Sequence, residues 1–511
     1  MPTPGVLLEL PEPEPVYGPE PKPVPRLKRP ERNQLVFGTV DLEKLIPEDH
    51  LARAVWDLAQ KLPEEGFLRE NKSVEGHAGR PRLAPRMLVS IWVYGYSQGI
   101  GLAETIAEHM KYEPGLRWLS GDGTVSGRTL GDFRTEHGQA LRDMFQALLA
   151  MLEEAGLIDL EQVTLDGTKV KASASASSFR REKTLRERME QASEVVRQLS
   201  EKGEAEEISR RHTAARKRAA EERDTRLKKA LEELEAIRAN KKNDEEREQA
   251  RVSLTDPESR VMKDGKGGFA PSYNVQLVTD TKNKVIVGVG ITQRANDQDE
   301  LRAALDKLAE QGRLPKQVMV DGGYTTANNI ALADERKIEL IGPPLERGQR
   351  QVKNLAQSLN TAGIAPEFAP SAFRILEDRG VLECPAGKQL HRRTDSAKYA
   401  QYWADASDCA ACEHRPQCCP KSGRRTVKIQ KTDARVIEFD RKMRQPDQQE
   451  IYARRGEVAE FPHAWIKDKL GLRQFHVRGL PKVEIEAYWV ALTYNMQQWV
   501  RLVWRPKLVA A

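Results

Sequence analysis

Two short β-branched runs, each ending in an Asp–Gly pair, constrain the fold of this chain more than any other feature. The first run is Gln162 to Asp166, and the second, Gln317 to Asp321, follows about 155 residues later. Between them, residues 180–251 are about half charged and have helical spacing. This order predicts an α/β core whose sheet is interrupted by a helical insertion.

Further elements are predicted after this insertion, and they complete a mixed sheet. They are a second strand from Tyr273 to Thr281, a third from Lys284 to Thr292, a helix from Asp297 to Gln311 and a fifth strand from Ile338 to Gly342. We expect the first and fourth strands to be neighbours, so that Asp166 and Asp321 meet. Asn274 and Gln276 alternate along the second strand and could face the same site, although core packing explains them better. Asp297 is a candidate supporting group.

A third acid, Glu460, lies in a helical segment together with Tyr452, Arg455 and Lys467. Lys467 follows Glu460 by seven residues, which is nearly two turns, so the two side chains share a helix face. Three carboxylates from separate segments suit a two-metal site for phosphoryl transfer, because Mg²⁺ prefers oxygen ligands. Taken singly, each acid is also explained as an ordinary turn or helix-surface residue.

From residue 34 to 158 the hydrophobic spacing is helical, with Gly and Pro between the segments. The predicted helical segments are LARAVWDLAQKL, PRMLVSIWVYGYSQ, LAETIAEHM and TLGDFRTEHGQALRDMFQALLAMLEEAG. Such a bundle suits a helix-turn-helix DNA-binding domain, in which the segment beginning at Ser126 would present Arg128 and Arg134 to a groove. A bundle that only positions the rest of the chain is the alternative.

The charged stretch from residue 180 to 251 is predicted to form a protruding helical hairpin, with Gly203 as the break between its helices. The apolar positions recur at helical spacing in each half and are Leu185, Met189, Val196 and Leu199, then Leu227, Leu231 and Leu234. This hairpin is a candidate dimer contact or DNA clamp. A solvated coiled-coil insertion without either role explains it equally well.

All five cysteines fall within residues 344–451, and their spacing indicates a metal-binding module inserted into the core. Cys409 and Cys412 have the two-residue gap that lets both thiolates bind one zinc ion, and Cys384 sits in a CPAGK turn suited to a second knuckle. The predicted zinc ligands are Cys384, Cys409, Cys412 and Cys418, with Cys419 or His414 as alternatives for the fourth. Unliganded cysteines are the competing interpretation, because only one half-site is closely spaced. A disulfide framework is not expected in a reducing cytoplasm.

Charge and hydropathy limit where in the cell the protein is expected and which surfaces could bind a polyanion. The net charge is +6, because 82 basic residues nearly balance 76 acidic ones, so any phosphate-binding surface must be local. Residues 1–33 are Pro-rich and are expected to be a disordered arm, either an untethered tail or a contact to DNA. Neither a membrane span nor a signal peptide is predicted, so the chain is expected to be cytoplasmic.

Several motifs, taken in order, resemble a known enzyme family. They are GRPRLAPRMLVSIWVYGYSQGI, DGTKVKASAS, DPESRVMKDGKGGFAPSYNVQ, VDGGY and RGLPKVEIEAYWVALTYN. Their order resembles that in the DDE transposases of bacterial insertion sequences, in the branch whose last acid lies in a Tyr–Arg–Glu–Lys signature. The likeness runs from about residue 33 to about 500. Four residues separate Arg455 from Glu460 where the commonest signature has three, whereas the six-residue gap to Lys467 fits.

The resemblance implies a ribonuclease H-like mixed-sheet catalytic core formed by residues 159–179, 252–343 and 452–505. It implies a bacterial, nucleoid-associated enzyme that binds the terminal inverted repeats of its element, cleaves them and joins them to double-stranded target DNA. Asp166, Asp321 and Glu460 would hold two Mg²⁺ or Mn²⁺ ions. By the same resemblance, a phosphate of the cut end would be held by Tyr452, Arg455 and Lys467. The active complex is expected to be a homodimer.

Two other functional classes remain open at this stage. A nuclease with the same core would keep the three acids but lack the joining activity. A domesticated, non-catalytic DNA-binding protein would keep the helical and cysteine-rich modules, but the presence of Asp166, Asp321 and Glu460 argues against it.

Overall fold

The computed structural model describes residues 41–69, 82–201, 207–263, 267–344, 357, 359–376, 380–396, 399–430 and 434–510. The predicted Pro-rich arm, residues 1–33, lies outside these ranges. Residues 42–511 form one compact unit. The N-terminal helices, the sheet and the late helices therefore belong to a single body.

Seven helices form the N-terminal part of this unit, in the region where helical spacing predicts them. They are α1 (Leu51–Ala59), α2 (Glu65–Leu68), α3 (Pro85–Ser97), α4 (Ala103–His109), α5 (Pro114–Ser120), α6 (Gly127–Glu136) and α7 (Gly138–Glu154). Ser126 caps α6 by accepting a hydrogen bond from the backbone N–H of Thr129 at 3.1 Å. The last predicted segment divides into α6 and α7 at His137, whose backbone leaves the helical region.

The core begins with a strand and is then interrupted by the charged insertion. The elements are β1 (Gln162–Lys171), β2 (Phe179–Arg180), α8 (Glu182–Glu201), α9 (Glu207–Ala239), α10 (Asp244–Glu248) and β3 (Val252–Ser253). Helices α8 and α9 pack on each other around a small core that includes Leu185, Leu227 and Leu234, as the spacing predicts. The antiparallel pair β2–β3 closes the base of this hairpin. The predicted break at Gly203 lies outside the described residues.

After the insertion the chain builds the rest of the main sheet. The elements are β4 (Arg260–Lys263), β5 (Phe269–Asp280), β6 (Ile286–Thr292), α11 (Glu300–Glu310), β7 (Gln317–Val320), α12 (Ala327–Glu335) and β8 (Glu339–Ile341). The strand order is β4-β5-β1-β7-β8, and β6 also pairs with β5. Strand β1 is antiparallel to β5 and parallel to β7, and β7 is parallel to β8. The first and fourth predicted strands are thus neighbours, as expected.

The first strand is longer than its sequence pattern predicts. The Asp166–Gly167 pair predicts a turn, but β1 continues to Lys171 because β5 pairs with it as far as Ser272. The parallel pairing with β7 stops earlier, at Leu165. Asp166 is therefore a mid-strand residue at the point where the neighbouring strand ends.

The cysteine-rich region folds around a second sheet with its own small core. Its elements are β9 (Arg374–Leu376), β10 (Val381–Glu383), β11 (Gln389–Asp395), β12 (Tyr399–Ala404), α13 (Ala406–Ala410), α14 (Arg415–Cys418) and β13 (Thr426–Gln430). The strands are antiparallel, in the order β13-β12-β11-β10-β9. Phe373, Leu382, Leu390 and Val427 are buried inside it.

Late helices return the chain to the main sheet. They are α15 (Ala434–Met443), α16 (Pro446–Ala453), α17 (Arg455–Asp468), α18 (Leu480–Trp499) and α19 (Arg505–Ala510), with a π-helical turn at Val500–Trp504. Helix α17 lies against β1, and α18 lies against β6 and the N-terminal helices. Asn495 of α18 bonds both the N–H and the C=O of Ile286, which satisfies the backbone of this edge strand. Across the described ranges, none of the helices has the length and apolar character needed to cross a membrane.

Candidate active site

Asp166 and Asp321 lie side by side at the edge of the parallel pairing. Leu165 is paired with Val320. Asp166 follows Leu165 within β1, and Asp321 is the first residue after β7. Neighbouring strands are about 4.8 Å apart, so the two carboxylates come from adjacent positions. The backbone N–H of Gly323 donates to Asp321 Oδ1 at 2.8 Å and holds this carboxylate at the start of its loop.

The environment of Asp166 disfavours its negative charge. Burial raises the pKa of Asp166 to about 6, the charge of Arg455 opposes this shift, and the charges of Asp321 and Asp297 add to it. Arg455 Nη2 lies 3.0 Å from Asp166 Oδ1. Two adjacent acids with one guanidinium at Asp166 form a site that favours additional positive charge.

Helix α17 lies along β1 and brings further side chains to the acids. His463 is buried, with its Nε2 3.7 Å from Asp166 Oδ2. Burial lowers the pKa of His463 to about 3, so the imidazole is neutral at ordinary pH. One turn further on, Lys467 Nζ donates to Thr168 Oγ1, and burial lowers the pKa of this lysine. The helix is therefore bound to β1 at two successive turns.

Glu460 is on the same face of α17, because it precedes His463 by three residues and Lys467 by seven. Its side chain is exposed, and within the described part of the chain it makes neither an ion pair nor a hydrogen bond. The structure thus brings Asp166 and Asp321 together. It places Glu460 on the helix beside them without a contact to either acid.

Tyr452, at the end of α16, is a partly buried neighbour of the two aspartates. Burial raises the pKa of its hydroxyl, and the charges of Asp321 and Asp166 add to this effect while that of Arg455 opposes it. Tyr452 and Arg455 therefore both lie at the aspartate pair.

A polar network lies on the opposite face of β1. Asp297 Oδ1 accepts hydrogen bonds from Asn274 Nδ2 at 2.6 Å and Gln276 Nε2 at 2.8 Å, and its Oδ2 lies 3.6 Å from Lys169 Nζ. Lys169 pairs with Asn274 in the sheet, so these side chains alternate with Asp166 and face the other way. The Tyr324 hydroxyl donates to Gln276 and extends the network to the loop after Asp321.

The donor set fits a hard divalent cation, although the side chains are not closed around one. Among the described residues, no group of three or more His, Cys, Asp or Glu side chains is arranged to hold a metal ion. Asp166 and Asp321 supply adjacent carboxylate oxygens, which are the ligands that Mg²⁺ prefers. The crowding of acidic charge at Asp166 is of the kind that a cation relieves.

The predicted DNA contact of Arg134 is wrong, because this side chain is buried. Arg134 is 6% exposed, its Nη1 donates to Gly101 O at 2.7 Å, and its guanidinium stacks on Trp92 at 4.6 Å. Glu486 of α18 lies 3.6 Å from it and supplies its counter-charge. Arg128 is different, with 80% of its side chain exposed and a 3.6 Å ion pair to Asp132.

The five cysteines line one cavity of the second sheet. Backbone N–H groups point at two of the sulfurs, from Lys388 to Cys384 at 3.3 Å and from Arg425 to Cys409 at 3.4 Å. Burial raises the pKa of Cys418 to about 11. The thiols are therefore gathered, but the described side chains do not form a closed metal site.

Two family models match the chain at separate places. Residues 383–500 match a family described as "Transposase DDE domain", and residues 40–136 match one described as "Transposase domain (DUF772)". The two matches indicate a DDE-type transposase of an insertion-sequence family. The matched ranges of this transposase contain Glu460, Lys467 and all five cysteines, but neither Asp166 nor Asp321.

Comparison with solved structures gives a weaker likeness for the transposase. A structure described as a cryo-EM structure of the piggyBac transposase synaptic complex with hairpin DNA aligns with a TM-score of 0.28 and 7% identity. The alignment covers 89% of this chain and 77% of that one. No curated protein sequence is detectably similar to the transposase.

The sequence prediction missed two neighbours of the transposase acids. His463 has no role in it, although its spacing from Glu460 and Lys467 places it on the same helix face. Lys169 follows Asp166 by three residues on β1, so the longer strand turns its side chain to the opposite face. Recognising it required the true length of β1.

Proposed function

We propose that this transposase binds the ends of its insertion sequence, cleaves them and joins them to target DNA by two-metal-ion phosphoryl transfer. The observation that carries the proposal is the position of Asp166 and Asp321 at one register of two parallel strands, beside the helix of Glu460. The strand order and directions around β1 support a ribonuclease H-like core.

In this proposal Asp166, Asp321 and Glu460 hold two Mg²⁺ or Mn²⁺ ions. When bound, the ions would activate a water or a DNA 3′-hydroxyl and stabilise the leaving 3′-oxygen. The chain contributes the fixed carboxylates, since Gly323 and the strand pairing position the two aspartates. Glu460, exposed on α17, supplies the third carboxylate.

The basic and aromatic residues of α16 and α17 are proposed to hold a DNA phosphate. Lys467 is positioned by Thr168, and Tyr452 lies near both aspartates. Arg455 neutralises Asp166 in this structure and would bind phosphate oxygens once cations neutralise the acids. Neutral His463 packs against Asp166 and excludes water from that side of the carboxylate.

The other regions are proposed to serve binding and stability. The N-terminal helices, residues 34–158, would contact the element ends, with Arg128 as an exposed cation at the start of α6. The region from residue 344 to 451 would bind one structural zinc ion through Cys384, Cys409, Cys412 and Cys418. Two observations support this proposal. All five thiols line one cavity, and backbone N–H groups donate to the sulfurs of Cys384 and Cys409, as they do to metal-bound thiolates.

Strand cleavage by single-residue variants tests the proposed chemistry. DNA flanking the reading frame supplies the element ends, and nicking is measured with Mg²⁺ or Mn²⁺ beside DNA binding. Asp166→Asn, Asp321→Asn and Glu460→Gln should each abolish nicking and leave binding largely intact, because an amide keeps the shape but loses the charge that holds a cation. Glu457→Gln, an exposed change on the same helix, is the matched control.

Two outcomes would contradict parts of the proposal. Nicking at the parent rate by any of the three variants would remove that residue from the metal site. Joining is tested separately with a pre-cleaved end and a second duplex. Cleavage without joining would identify the chain as a nuclease with this core.

A further inference from the structure

An open groove lies beside the sheet, away from Asp166 and Asp321. One wall is α9, the opposite wall is the turn into α18, and Ser173, beyond the end of β1, forms part of the floor. Six lysine and arginine side chains line it, and we name it the basic groove after the four that form no ion pair among the described residues. They are Arg218, Arg226, Arg478 and Lys482.

These four cations form no ion pair within the described part of the chain. Over the ranges that the structure describes, none of them has an acidic oxygen within 4 Å, whereas Lys229 and Arg260 close by are both paired with Glu233. Glu258, one of three acids in the lining, is already used, since it accepts a hydrogen bond from the backbone N–H of Leu480.

Arg226 is the groove cation most affected by its neighbours. Its Nε is buried without a hydrogen-bond partner. Burial lowers the pKa of Arg226, and the charges of Arg478 and Arg223 lower it further. The charge of Glu222 opposes these effects only in part. Like charges held together cost free energy, which a polyanion in the groove would reduce.

The separation between the groove and Asp166 can be estimated along the chain. Arg478 Nε donates to Ser173 O at 3.0 Å, and Ser173 follows Asp166 by seven residues on nearly extended chain. At about 3.3 Å per residue the separation is roughly 23 Å, and at about 3.4 Å per base pair this corresponds to about seven base pairs of duplex.

We propose that the basic groove binds the sugar–phosphate backbone of double-stranded DNA about seven base pairs from the phosphate that is cut. The hairpin insertion then acts as a DNA clamp, which is one of the alternatives that the sequence allowed. The inference rests on the proposed function, because the distance is measured from Asp166. A phosphate backbone fits this groove because its cations lie on both walls of an open channel, where they can contact phosphates of either strand.

The test uses the full-length protein and two end duplexes. One duplex reaches about 15 base pairs beyond the cleavage point and the other about 3, short of the groove. Arg226→Gln/Lys482→Gln removes two groove charges. Arg186→Gln/Lys228→Gln removes two charges from exposed hairpin pairs and is the control.

For the long duplex, the groove variant should bind roughly five- to tenfold more weakly, and the slope of log K against log salt should fall by about two. With the short duplex it should match the control. Equal affinity and slope for the groove and control variants on the long duplex would overturn the inference, as would a parent protein that binds no DNA. If the groove effect is seen but Asp166→Asn still cuts, the proposed function fails and the groove assignment stands.

Discussion

Gly167 lies next to Asp166 on β1 and contacts the polar network on the opposite face of the strand. A Cβ atom at this position would lie 2.5 Å from Gln276 Nε2 and 2.6 Å from Asp297 Oδ1. The polar network therefore occupies the space that any side chain would need. The glycine next to Asp166 is required by close approach within a strand, and no turn is present there.

Gly167→Ala should disturb this network and impair DNA cleavage. Forcing one methyl group into the contact costs about 1–3 kcal/mol of stability, and displacement of Asp166 would slow nicking roughly 100-fold. Gly290→Ala on β6 is the matched control, because its Cβ would meet Gln276 Cβ at an ordinary 3.4 Å. Thermal unfolding and nicking assays measure both effects. Equal nicking activity of the two variants would show that the polar network is not needed for cleavage.

At the residue scale, the sequence predicted what depends on nearby residues. Asp166 and Asp321 each follow a β-branched run, and that local pattern predicted the two strands. The expectation that these strands are neighbours came from the ribonuclease H-like order of the elements, and the strands are paired. Arg128 and Arg134 look alike in sequence, yet one is exposed and the other buried. The difference is made by Glu486, which lies far along the chain, so local spacing could not reveal it.

At the element scale, the strands and helices were predictable and their ends were not. The Asp–Gly signal predicted the end of β1, but pairing with β5 outweighed this local preference and extended the strand. Helix α17 was predictable from spacing. Its contacts to β1 through His463 and Lys467 depend on tertiary packing, which no single segment encodes.

In the proposed zinc site, metal binding stabilises the cysteine-rich module more than any other element. Purified, reduced protein should carry about one zinc per chain, and Cys409→Ser should release it and unfold this module, because ligation supplies much of such a module's folding free energy. Ser407→Ala in α13 is the control. Metal analysis and circular dichroism provide the readouts. A well-folded, reduced sample without zinc would contradict the proposal.

At the scale of the whole molecule, α18 joins the N-terminal helices to the core. The Trp489 indole N–H donates to Arg134 O at 3.1 Å, and the Trp489 ring lies 6.4 Å from that of Trp92. Asn495, farther along the helix, bonds the edge of β6. The N-terminal helices therefore pack on the main sheet through a buried interface, and DNA bound by one would be held at a fixed position relative to the other.

The ion pair between Arg134 and Glu486 is central to this interface. Glu486 is fully buried, and its Oε2 accepts a hydrogen bond from the backbone N–H of His476 at 2.9 Å. Its Oε1 lies 2.7 Å from the His476 ring and 3.3 Å from the Tyr96 hydroxyl. One carboxylate thus connects α3, α6 and the segment before α18.

Glu486→Gln should destabilise the whole protein. It leaves Arg134 buried without a counter-charge, which costs about 3–5 kcal/mol. Glu484→Gln, two residues earlier, breaks a partly exposed pair with Lys307 and should cost about 1 kcal/mol or less. Chemical denaturation followed by fluorescence and circular dichroism measures both losses. Because the interface is shared, the two signals should move together to lower denaturant in Glu486→Gln. If the N-terminal helices instead unfolded in a separate earlier transition in the parent protein, the two regions would be independent domains, and the ion pair would stabilise only their contact.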